Sequence, residues 1–375
     1  MKKGKHVLII SASIGTGHAQ AAKAIEEYWD VYDPEAVVEH ADFLDNETLS
    51  VDGLLKETYI KMIDVFPMLY DLVYHASQGE RKGGIAQTLL SWVLKRRMFK
   101  LIQKKRPDVV IFTHPFPCGA ASLLKRKKLI DVPIMAVITD FTSHQFWVYP
   151  QVDAYFVGSE SMVDDLAKAG IDRSKIAVTG IPVRRRFFEE ADKPRPADAP
   201  TTVLIMGGGL GHGPLETALL QLDDIGSIAG VDEFIVVAGR NLGLYESLVD
   251  IKDRMRTKTT VYGYTTEIPE LMRRSALLVT KPGGLTCMEA VTVGTPLVFF
   301  NAIPGQEEAN ALHLERKGCA RWARDVNNLP DVVMALLINP QRLRAMSEAE
   351  LAWRVDGAAD IVSNVQRFFG EKSGA

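Results

Sequence analysis

The 375-residue chain contains three cysteines, Cys118, Cys287 and Cys319, which lie far apart and form no C-x-x-C pair. So sparse a set argues against a disulfide framework or a zinc site and is typical of a reducing compartment. No apolar run approaches the roughly 20 residues that a membrane-spanning helix needs. The short apolar run near the N-terminus leads into glycines, which indicates a first strand and its loop rather than a signal peptide. These absences favour a cytoplasmic protein that at most attaches to a membrane surface.

Basic residues are concentrated in one part of the chain. The formal net charge is −3, but residues 81–128 contain thirteen lysines and arginines against one acid, Asp108, so this stretch carries +12 and the remainder −15. Such a concentration indicates an anionic partner at one place on the protein. Nucleic acid could satisfy the same charge, but no nucleic-acid-binding motif accompanies it, and we expect none to bind.

Short β-rich apolar runs alternate with helix-length segments through both halves, which is typical of parallel sheets covered by helices on both faces. The length and the 47% hydrophobic content are enough for two such domains. Residues 189–201 contain three prolines and are predicted to link a domain of residues 1–188 to one that begins at residue 202. The predicted strands are residues 6–11, 37–40, 108–113, 133–139, 154–157 and 176–179, followed by residues 202–206, 234–238, 260–262, 276–280 and 296–300.

Three predicted strands lead into glycine-rich turns that precede helices, at residues 14–18, 207–213 and 280–286. Glycines allow backbone N–H groups to approach a ligand, and a helix N-terminus carries a partial positive charge, so phosphate is the expected ligand. The turns match neither the P-loop pattern, which excludes a P-loop ATPase, nor the dinucleotide fingerprint. For Gly15 and Gly17 alone, a tight turn with nothing bound is an equally good interpretation.

Polar side chains follow two strands of the second half. Glu289 lies near the start of the helix after the third glycine turn, where its carboxylate could accept both hydroxyls of a ribose. An acid in a first helical turn is also favourable without any ligand. Gln306, Glu307 and Asn310 come just after the predicted strand that ends at Phe300, where sugar hydroxyls could be bound. An ordinary solvated loop would have a similar composition.

Proton transfer in catalysis requires a general base, and histidine has a suitable pKa near neutral pH. His18 ends the first glycine turn at the start of a predicted helix, whose N-terminus disfavours the protonated imidazole. His144 and His212 are alternative candidates by position. Asp140, which follows a predicted strand, could orient the base or contact the acceptor, and a loop-capping role is equally compatible with its position.

Together these motifs resemble the glycosyltransferase family that joins the monogalactosyldiacylglycerol synthases to the bacterial diacylglycerol glucosyltransferases. The resemblance covers nearly the whole chain in the same order, although residues 43–105 match mainly in character. In the second half it rests on MGGGLGHGPLETA (206–218), VVAGRN (236–241), TKPGGLTCMEA (280–290), GTPLVFF (294–300) and PGQEEAN (304–310). In the first half it rests on SASIGTGHAQAA (11–22), VITDF (137–141) and TGIPVRRRF (179–187).

The resemblance implies an α/β protein of GT-B architecture, with two Rossmann-like doubly wound domains facing across a cleft. The N-terminal domain would hold a lipid acceptor and residues 202–339 a UDP-sugar, while helices of residues 340–375 would pack back on the N-terminal domain. His18 matches the proposed catalytic base of the family, and the acceptor loop would be Gly15, Thr16 and Gly17. The expected sugar-donor contacts are Arg184, Gly208, Gly209, Gly211, Arg240, Tyr264, Thr265, Gly283, Gly284, Leu285, Thr286, Glu289, Gln306, Glu307 and Asn310.

The implied reaction is an inverting transfer of a hexose from UDP-glucose or UDP-galactose to diacylglycerol, which gives a β-glycoside. Metal-dependent glycosyltransferases hold a divalent ion with a D-x-D triplet, and this chain contains none. Helix ends and loop amides are expected to hold the diphosphate instead, so we expect no obligatory metal and no cofactor. Two alternatives stay open. One is a nucleotide-sugar epimerase of the UDP-N-acetylglucosamine type, which would need more acids near the sugar than Glu307 and Glu308, and the other is a non-catalytic UDP-sugar-binding scaffold.

Residues 85–106 predict a basic amphipathic helix, and the preceding residues 54–76 are rich in aromatics. Such segments suit a surface of anionic lipid at the inner face of the cell membrane. For most of the individual residues, core helices with solvated charged faces are the better interpretation, whereas the +12 excess as a whole favours the membrane. The residues expected to face the membrane are Trp92, Lys95, Arg96, Arg97 and Lys100.

Overall fold

The computed structural model describes residues 4–13, 16–44, 80–194, 200–211 and 213–373, and these residues form two α/β domains. The aromatic-rich residues 54–76, Gly15 and His212 lie outside the described residues. The predicted linker begins inside a helix that ends at Ala191, so its first three residues are helical.

The first domain is built on six parallel strands: β1 (His6–Ser11), β2 (Val37–Asp42), β3 (Val109–Phe112), β4 (Ile134–Val137), β5 (Ala154–Val157) and β6 (Ile176–Val178). Their order in the sheet is β2-β1-β3-β4-β5-β6. Short 3-10 turns occur at Gln145–Trp147 and Arg173–Lys175. The helices are α1 (Gly17–Tyr32), α2 (Glu80–Lys105), α3 (Pro115–Arg126) and α4 (Glu160–Lys168). The next helix, α5 (Arg185–Ala191), buries Phe187 in the core of the second domain.

The second domain is built on another six parallel strands: β7 (Thr202–Met206), β8 (Glu233–Val237), β9 (Lys258–Tyr262), β10 (Leu277–Thr280), β11 (Leu297–Phe299) and β12 (Ala320–Trp322). Their order is β12-β11-β10-β7-β8-β9. A 3-10 turn occurs at Val326–Asn328. The remaining helices are α6 (Leu215–Gly226), α7 (Leu242–Lys252), α8 (Ile268–Arg274), α9 (Gly284–Val293), α10 (Gln306–Arg316), α11 (Leu329–Leu337), α12 (Pro340–Trp353) and α13 (Gly357–Ser373).

All eleven strands predicted from the apolar runs are present, and the expected pair of doubly wound parallel sheets is confirmed. Both faces of each sheet are covered, which explains why the runs are continuous rather than alternating. In β1, Leu8 and Ile10 pack into a buried cluster on one face, and Val7 and Ile9 into a cluster on the other. The twelfth strand, β12, was not predicted because Ala-Arg-Trp at the sheet edge is not an apolar run.

In each sheet the strand order reverses at one point, between β1 and β3 in the first and between β7 and β10 in the second. At such a switch point a crevice opens beyond the carboxyl ends of the strands, where sheets of this kind bind ligands. Thr280 of β10 lies opposite Met206 of β7, so the glycine turns that follow these two strands leave the sheet side by side.

The last two helices divide between the domains. Helix α12 packs against α9 and α11 of the second domain, whereas α13 packs against α1 of the first. Ile361 and Val365 of α13 share a buried cluster with Val7 and Ile9 of β1. The chain therefore returns to the first domain after Trp353, and only the later part of the segment expected to pack there does so.

Among the helices of the described ranges, none combines the length and the apolarity required to cross a membrane. The apolar stripe of α2 is instead part of the core, because Leu94, Met98 and Leu101 pack with side chains of the first sheet. For these residues the core interpretation holds.

Glu350 of α12 generates a stability prediction. Its side chain is completely buried, neither carboxylate oxygen has a hydrogen-bond partner among the described residues, and burial raises its pKa well above the usual value. The folded state therefore retains a proton that the unfolded state loses, and stability falls as the pH rises above the ordinary glutamate pKa. Near pH 4.5 we expect Glu350→Gln and the wild type to have the same free energy of unfolding. Above pH 4.5 the free energy of unfolding of the variant should exceed that of the wild type by up to about 1.4 kcal/mol for each pH unit.

The free energy of unfolding, measured by urea denaturation between pH 4.5 and pH 9, tests this expectation. Glu348→Gln, at an exposed position of the same helix, is the matched control and should show no such divergence. A constant difference between Glu350→Gln and the wild type across this range would contradict it.

Candidate active site

A cavity of about 530 Å³ lies between the carboxyl edges of the two sheets, a volume typical of small-molecule sites. Both domains line it, and both switch points open onto it. From the first domain, Thr16, Gly17, His18, Asp140 and Arg184 line the cavity. From the second, the predicted residues that line it are Gly208, Gly209, Arg240, Tyr264, Thr265, Gly283, Gly284, Leu285, Thr286, Glu289, Gln306 and Glu307.

The two domains are in direct contact at two glycines. A Cβ atom on Gly284, the first residue of α9, would lie 2.1 Å from the carbonyl oxygen of Thr139, and one on Gly209 would lie 2.3 Å from Oγ1 of Thr16. A side chain at Gly284 would force the backbones apart, so this close approach requires glycine. The contact brings the wall that carries His18 opposite the second and third glycine turns.

His18 lies at the start of α1, and two threonines hold its ring. Its Nδ1 atom lies 2.6 Å from the carbonyl oxygen of Thr113 and 3.1 Å from Oγ1 of Thr139. The Thr113 hydroxyl in turn donates to the His18 carbonyl oxygen at 2.9 Å. Because a carbonyl oxygen can only accept, Nδ1 carries the proton and Nε2 keeps its lone pair. The ring is held in the tautomer that can accept a proton at Nε2.

Burial lowers the pKa of His18 to about 4, against the opposing effect of the hydrogen bond to Thr113. The imidazole is therefore neutral at physiological pH, as the sequence indicated, with burial as the largest cause. Its ring also packs edge-on against His114, with centroids 4.5 Å apart. The Nδ1 atom of His114 accepts the N–H of Phe116 and caps α3, so His114 has a structural role in the first domain.

The two rival histidines differ from His18. His144 precedes the 3-10 turn Gln145–Trp147, and burial lowers its pKa to about 4. Among the histidines that the structure describes, His18 lines the cavity and His144 does not. His212 is outside the described part of the chain.

Asp140 contacts the second domain rather than His18. Its Oδ1 accepts a hydrogen bond from Nδ2 of Asn310 at 3.0 Å, and its Oδ2 accepts one from Nε2 of Gln306. Burial raises the pKa of Asp140 to about 6, aided by the charge of Glu307 and opposed by these two hydrogen bonds. In this arrangement Thr113 and Thr139, rather than Asp140, orient the His18 ring.

Asn310 is completely buried and does not line the cavity. Its Nδ2 donates to Asp140 and, at 3.1 Å, to the carbonyl oxygen of Pro282, while its Oδ1 accepts the N–H of Phe141 at 3.1 Å. The side chain of Asn310 thus joins the two domains and does not face the cavity as predicted. Gly211 is also absent from the cavity wall. It packs against the chain after β8, where a Cβ at this position would lie 2.0 Å from the carbonyl oxygen of Ala238.

Glu289 lies in the second turn of α9, since the helix begins at Gly284, and the first-turn interpretation does not apply. Burial raises its pKa to about 8, with Arg184 opposing that shift. At neutral pH the carboxyl is thus largely protonated and can both donate and accept a hydrogen bond. Arg184 itself donates from Nε to Glu27 at 2.8 Å, which ties its guanidinium to α1.

Two further pairs of side chains line the cavity. The guanidinium of Arg240 lies over the ring of Tyr264, 4.9 Å from its centroid. Nζ of Lys281 lies 2.6 Å from Oε1 of Glu307, and Oε2 of Glu307 accepts the N–H of Ile303 at 3.0 Å. This pair connects the third glycine turn to the start of α10.

Sequence reasoning missed three residues of this site, Lys281, Thr113 and Thr139. Lys281 lies in the third glycine turn, whose glycines dominate the pattern. The signal that identifies it is a cation directly after a strand at a switch point. The two threonines follow β3 and β4, and nothing in the sequence shows that both approach His18.

The residues expected to face the membrane lie on α2. Trp92 is 56% exposed, and Nζ of Lys95 lies 4.6 Å from the centroid of its ring. Arg96 and Lys100 are exposed as well. Arg97 instead places its guanidinium over the ring of Phe43, at 5.2 Å, and is directed against its own domain. Trp92, Lys95, Arg96 and Lys100 are called the α2 patch below.

The fold has close structural counterparts. MurG of Acinetobacter baumannii superposes with a TM-score of 0.59 at 16% identity, over 97% of this chain and 99% of that one. UDP-GlcNAc 2-epimerase from Neisseria meningitidis, bound to UDP-GlcNAc, superposes with a TM-score of 0.62 at 13% identity, over 96% and 99% of the two chains. These likenesses show that the chain has the GT-B fold.

Sequence comparison identifies the family. Residues 18–183 match the model of monogalactosyldiacylglycerol (MGDG) synthase, and residues 202–365 match the glycosyltransferase family 28 C-terminal domain. The processive diacylglycerol beta-glucosyltransferase of Bacillus mycoides (strain KBAB4) is 31% identical over 375 residues, with 97% of this chain and 94% of that protein covered. The chain therefore belongs to the family of diacylglycerol glycosyltransferases that unites the MGDG synthases with these bacterial glucosyltransferases.

Proposed function

We propose that this protein transfers glucose from UDP-glucose to the free hydroxyl of diacylglycerol with inversion, giving a β-glucosyl-diacylglycerol. The observation that carries the proposal is the neutral His18 imidazole, which shares one cavity with the glycine turns of the second domain. The Bacillus relative, a diacylglycerol beta-glucosyltransferase, supports both the acceptor and glucose. The epimerase of the same fold holds a UDP-sugar. UDP-galactose is the second candidate donor.

The acceptor is activated by His18. Nε2 removes the hydroxyl proton as the oxygen attacks the anomeric carbon, and the Thr113 carbonyl and Thr139 hydroxyl keep the ring in place. The negative charge of a bound diphosphate raises the pKa of the imidazole. The base thus becomes stronger when the sugar donor is in place.

The leaving group is stabilised by backbone dipoles. The bond from the anomeric carbon to the phosphate oxygen breaks, and its electron pair remains on the β-phosphate. The N-terminus of α9 at Gly284 and the turn at Gly208 and Gly209 bring N–H groups to the cavity, where they favour the growing charge. We propose that no divalent ion is needed.

The nucleoside is held at the outer end of the second domain in this proposal. The Tyr264 and Thr265 backbone binds uracil, and the largely protonated Glu289 binds the ribose hydroxyls with less cost than a buried carboxylate would incur. Gln306 and Glu307, at the start of α10, bind the sugar. Arg184 lies close enough to the cavity to contact the diphosphate while Glu27 holds it.

The α2 patch is proposed to hold the protein on the cytoplasmic face of the membrane, where the acceptor is found. An exposed tryptophan next to three exposed or half-exposed cations suits a surface of anionic lipid.

The first test is transfer to lipid. Radiolabelled UDP-glucose, incubated with the protein and diacylglycerol vesicles in the presence of EDTA, is expected to label the organic phase, and UDP-galactose to label it less. The label should still reach the organic phase when EDTA removes metal ions, because backbone dipoles take the place of a divalent ion. Product that disappears with EDTA would refute the metal-free mechanism, and the absence of lipid product with either sugar would refute the proposed reaction.

The second test concerns His18. His18→Ala is expected to lower kcat by about 100-fold to 10,000-fold, the usual contribution of a general base, while the Kd for UDP changes little. His144→Ala is the matched comparison, and its kcat should fall much less. Because the pKa of His18 is about 4, nitrogen NMR of the ligand-free protein should show a neutral ring protonated at Nδ1 at pH 6. A ring that titrates near pH 6.5, or equal losses in both variants, would remove His18 from this role.

The third test is flotation with liposomes. The protein should float with vesicles that contain phosphatidylglycerol, and the triple change Trp92→Ala, Arg96→Ala and Lys100→Ala should weaken binding, since each basic residue near such a surface contributes about 1 kcal/mol. Arg342→Ala with Arg344→Ala, exposed on α12, is the charge control. An epimerase would not float, so the absence of binding by the wild type would favour that alternative.

A further inference from the structure

We propose that Lys281 is a catalytic residue that binds the diphosphate of the sugar donor and neutralises the charge that grows on it as the sugar leaves. This inference deepens the proposed function and rests on it. It is carried by the place of Lys281 in the sheet, by its contacts and by the positions of the other cations around the cavity.

Lys281 leaves the sheet at its switch point. It directly follows Thr280, which pairs with Met206 on one side and with Phe299 on the other. The turn that follows Met206 is the second glycine turn, and the loop that follows β11 leads to α10. The lysine thus stands between the turn expected to bind phosphate and the helix expected to bind the sugar.

The contacts of Lys281 agree with that position. Its Cε lies 3.6 Å from the place that a Cβ on Gly208 would occupy, so the side chain runs over the turn. Its Nζ lies 2.6 Å from Glu307, and its side chain is about one fifth exposed, on the cavity. A cation held there by a carboxylate of α10 lies where the bond between the phosphate and the sugar must break.

The other cations that line the cavity are placed differently. Arg184 is bonded to Glu27 of α1, in the first domain, and Arg240 lies over Tyr264, toward the expected uracil site. Arg186 is exposed at the rim. Arg240 contacts the second glycine turn through its backbone N–H, which donates to the carbonyl oxygen of Gly209 at 3.2 Å. Lys281 instead lies against that turn with its side chain.

The charges balance along the reaction. The acceptor oxygen forms its bond to the anomeric carbon, the bond to the β-phosphate oxygen breaks, and the acceptor proton passes to Nε2 of His18. The diphosphate then carries one more negative charge than in the sugar donor. An ammonium group within reach of that oxygen is favoured more in the transition state than in the ground state, which is the condition for raising kcat.

Nucleotide binding separates this role from a structural one, because UMP lacks the β-phosphate. By calorimetry, Lys281→Met is expected to raise the Kd for UDP by about tenfold to a hundredfold, the size of a charged hydrogen bond, and to leave the Kd for UMP within about twofold. Lys281→Arg should recover part of the UDP affinity. Transfer by Lys281→Met should fall by about 100-fold in kcat.

Two further variants act as controls. Lys258→Met removes the same charge from another Lys–Glu pair, with Glu233, at the amino edge of the same sheet, and should change neither Kd. Glu307→Gln breaks the pair from its other side. It should not raise the Kd for UDP, because the cation remains and a nearby negative charge is removed. A structural ion pair would instead give the same loss of UDP binding from either partner.

The outcomes are distinguishable from those of the proposed function. Equal rises in the Kd for UDP and UMP, or unchanged UDP binding in a folded Lys281→Met protein, would overturn the role of Lys281. Should Lys281→Met fail to melt cooperatively, Lys281→Gln and Glu307→Gln provide the same comparison. If the wild type bound UDP through Lys281 but transferred no sugar to lipid, the proposed reaction would be wrong and the assignment of Lys281 as a diphosphate ligand would stand.

Discussion

The site depends on the close approach of two backbones at Gly284 and Thr139. Because α9 begins with a residue that has no side chain, the carbonyl oxygen that follows β4 can lie against the helix N-terminus. The first domain then places His18 within the same cavity as the second and third glycine turns. The hydrogen bonds of Asp140 and Phe141 to Asn310 hold the domains at this contact. A larger residue at Gly284 would separate the wall that carries His18 from the wall that carries the second and third glycine turns.

The cavity contains few uncompensated charges. His18 is neutral, burial raises the pKa of Asp140 and Glu289, and Lys281 and Arg184 are each paired with a carboxylate. Isolated charges in a half-buried cleft would be costly, whereas dipoles and ion pairs are tolerated there. By our proposals, a diphosphate that enters this environment would meet the glycine turns, the N-terminus of α9 and one ammonium group, so little reorganisation would be needed.

Much of this arrangement could be predicted from patterns in the chain. Apolar runs of strand length located eleven of the twelve strands, and the glycine turns after β1, β7 and β10 indicated where the cavity walls lie. The prediction was weaker for residues whose neighbours are distant in sequence. Asn310 looked like a sugar ligand because it stands beside Gln306 and Glu307, yet helical geometry turns its amide inward to Asp140 of the other domain.

The amino-acid sequence by itself determined the two doubly wound sheets, the glycine turns and the family, because strand periodicity and local motifs are written in neighbouring residues. The tertiary structure alone decided which residues surround His18, that Thr113 rather than Asp140 holds its Nδ1, and that Lys281 lies over Gly208. Those contacts join residues separated by many positions along the chain. Their distances depend on how two strands end at one edge and how closely two domains approach, which no local pattern encodes.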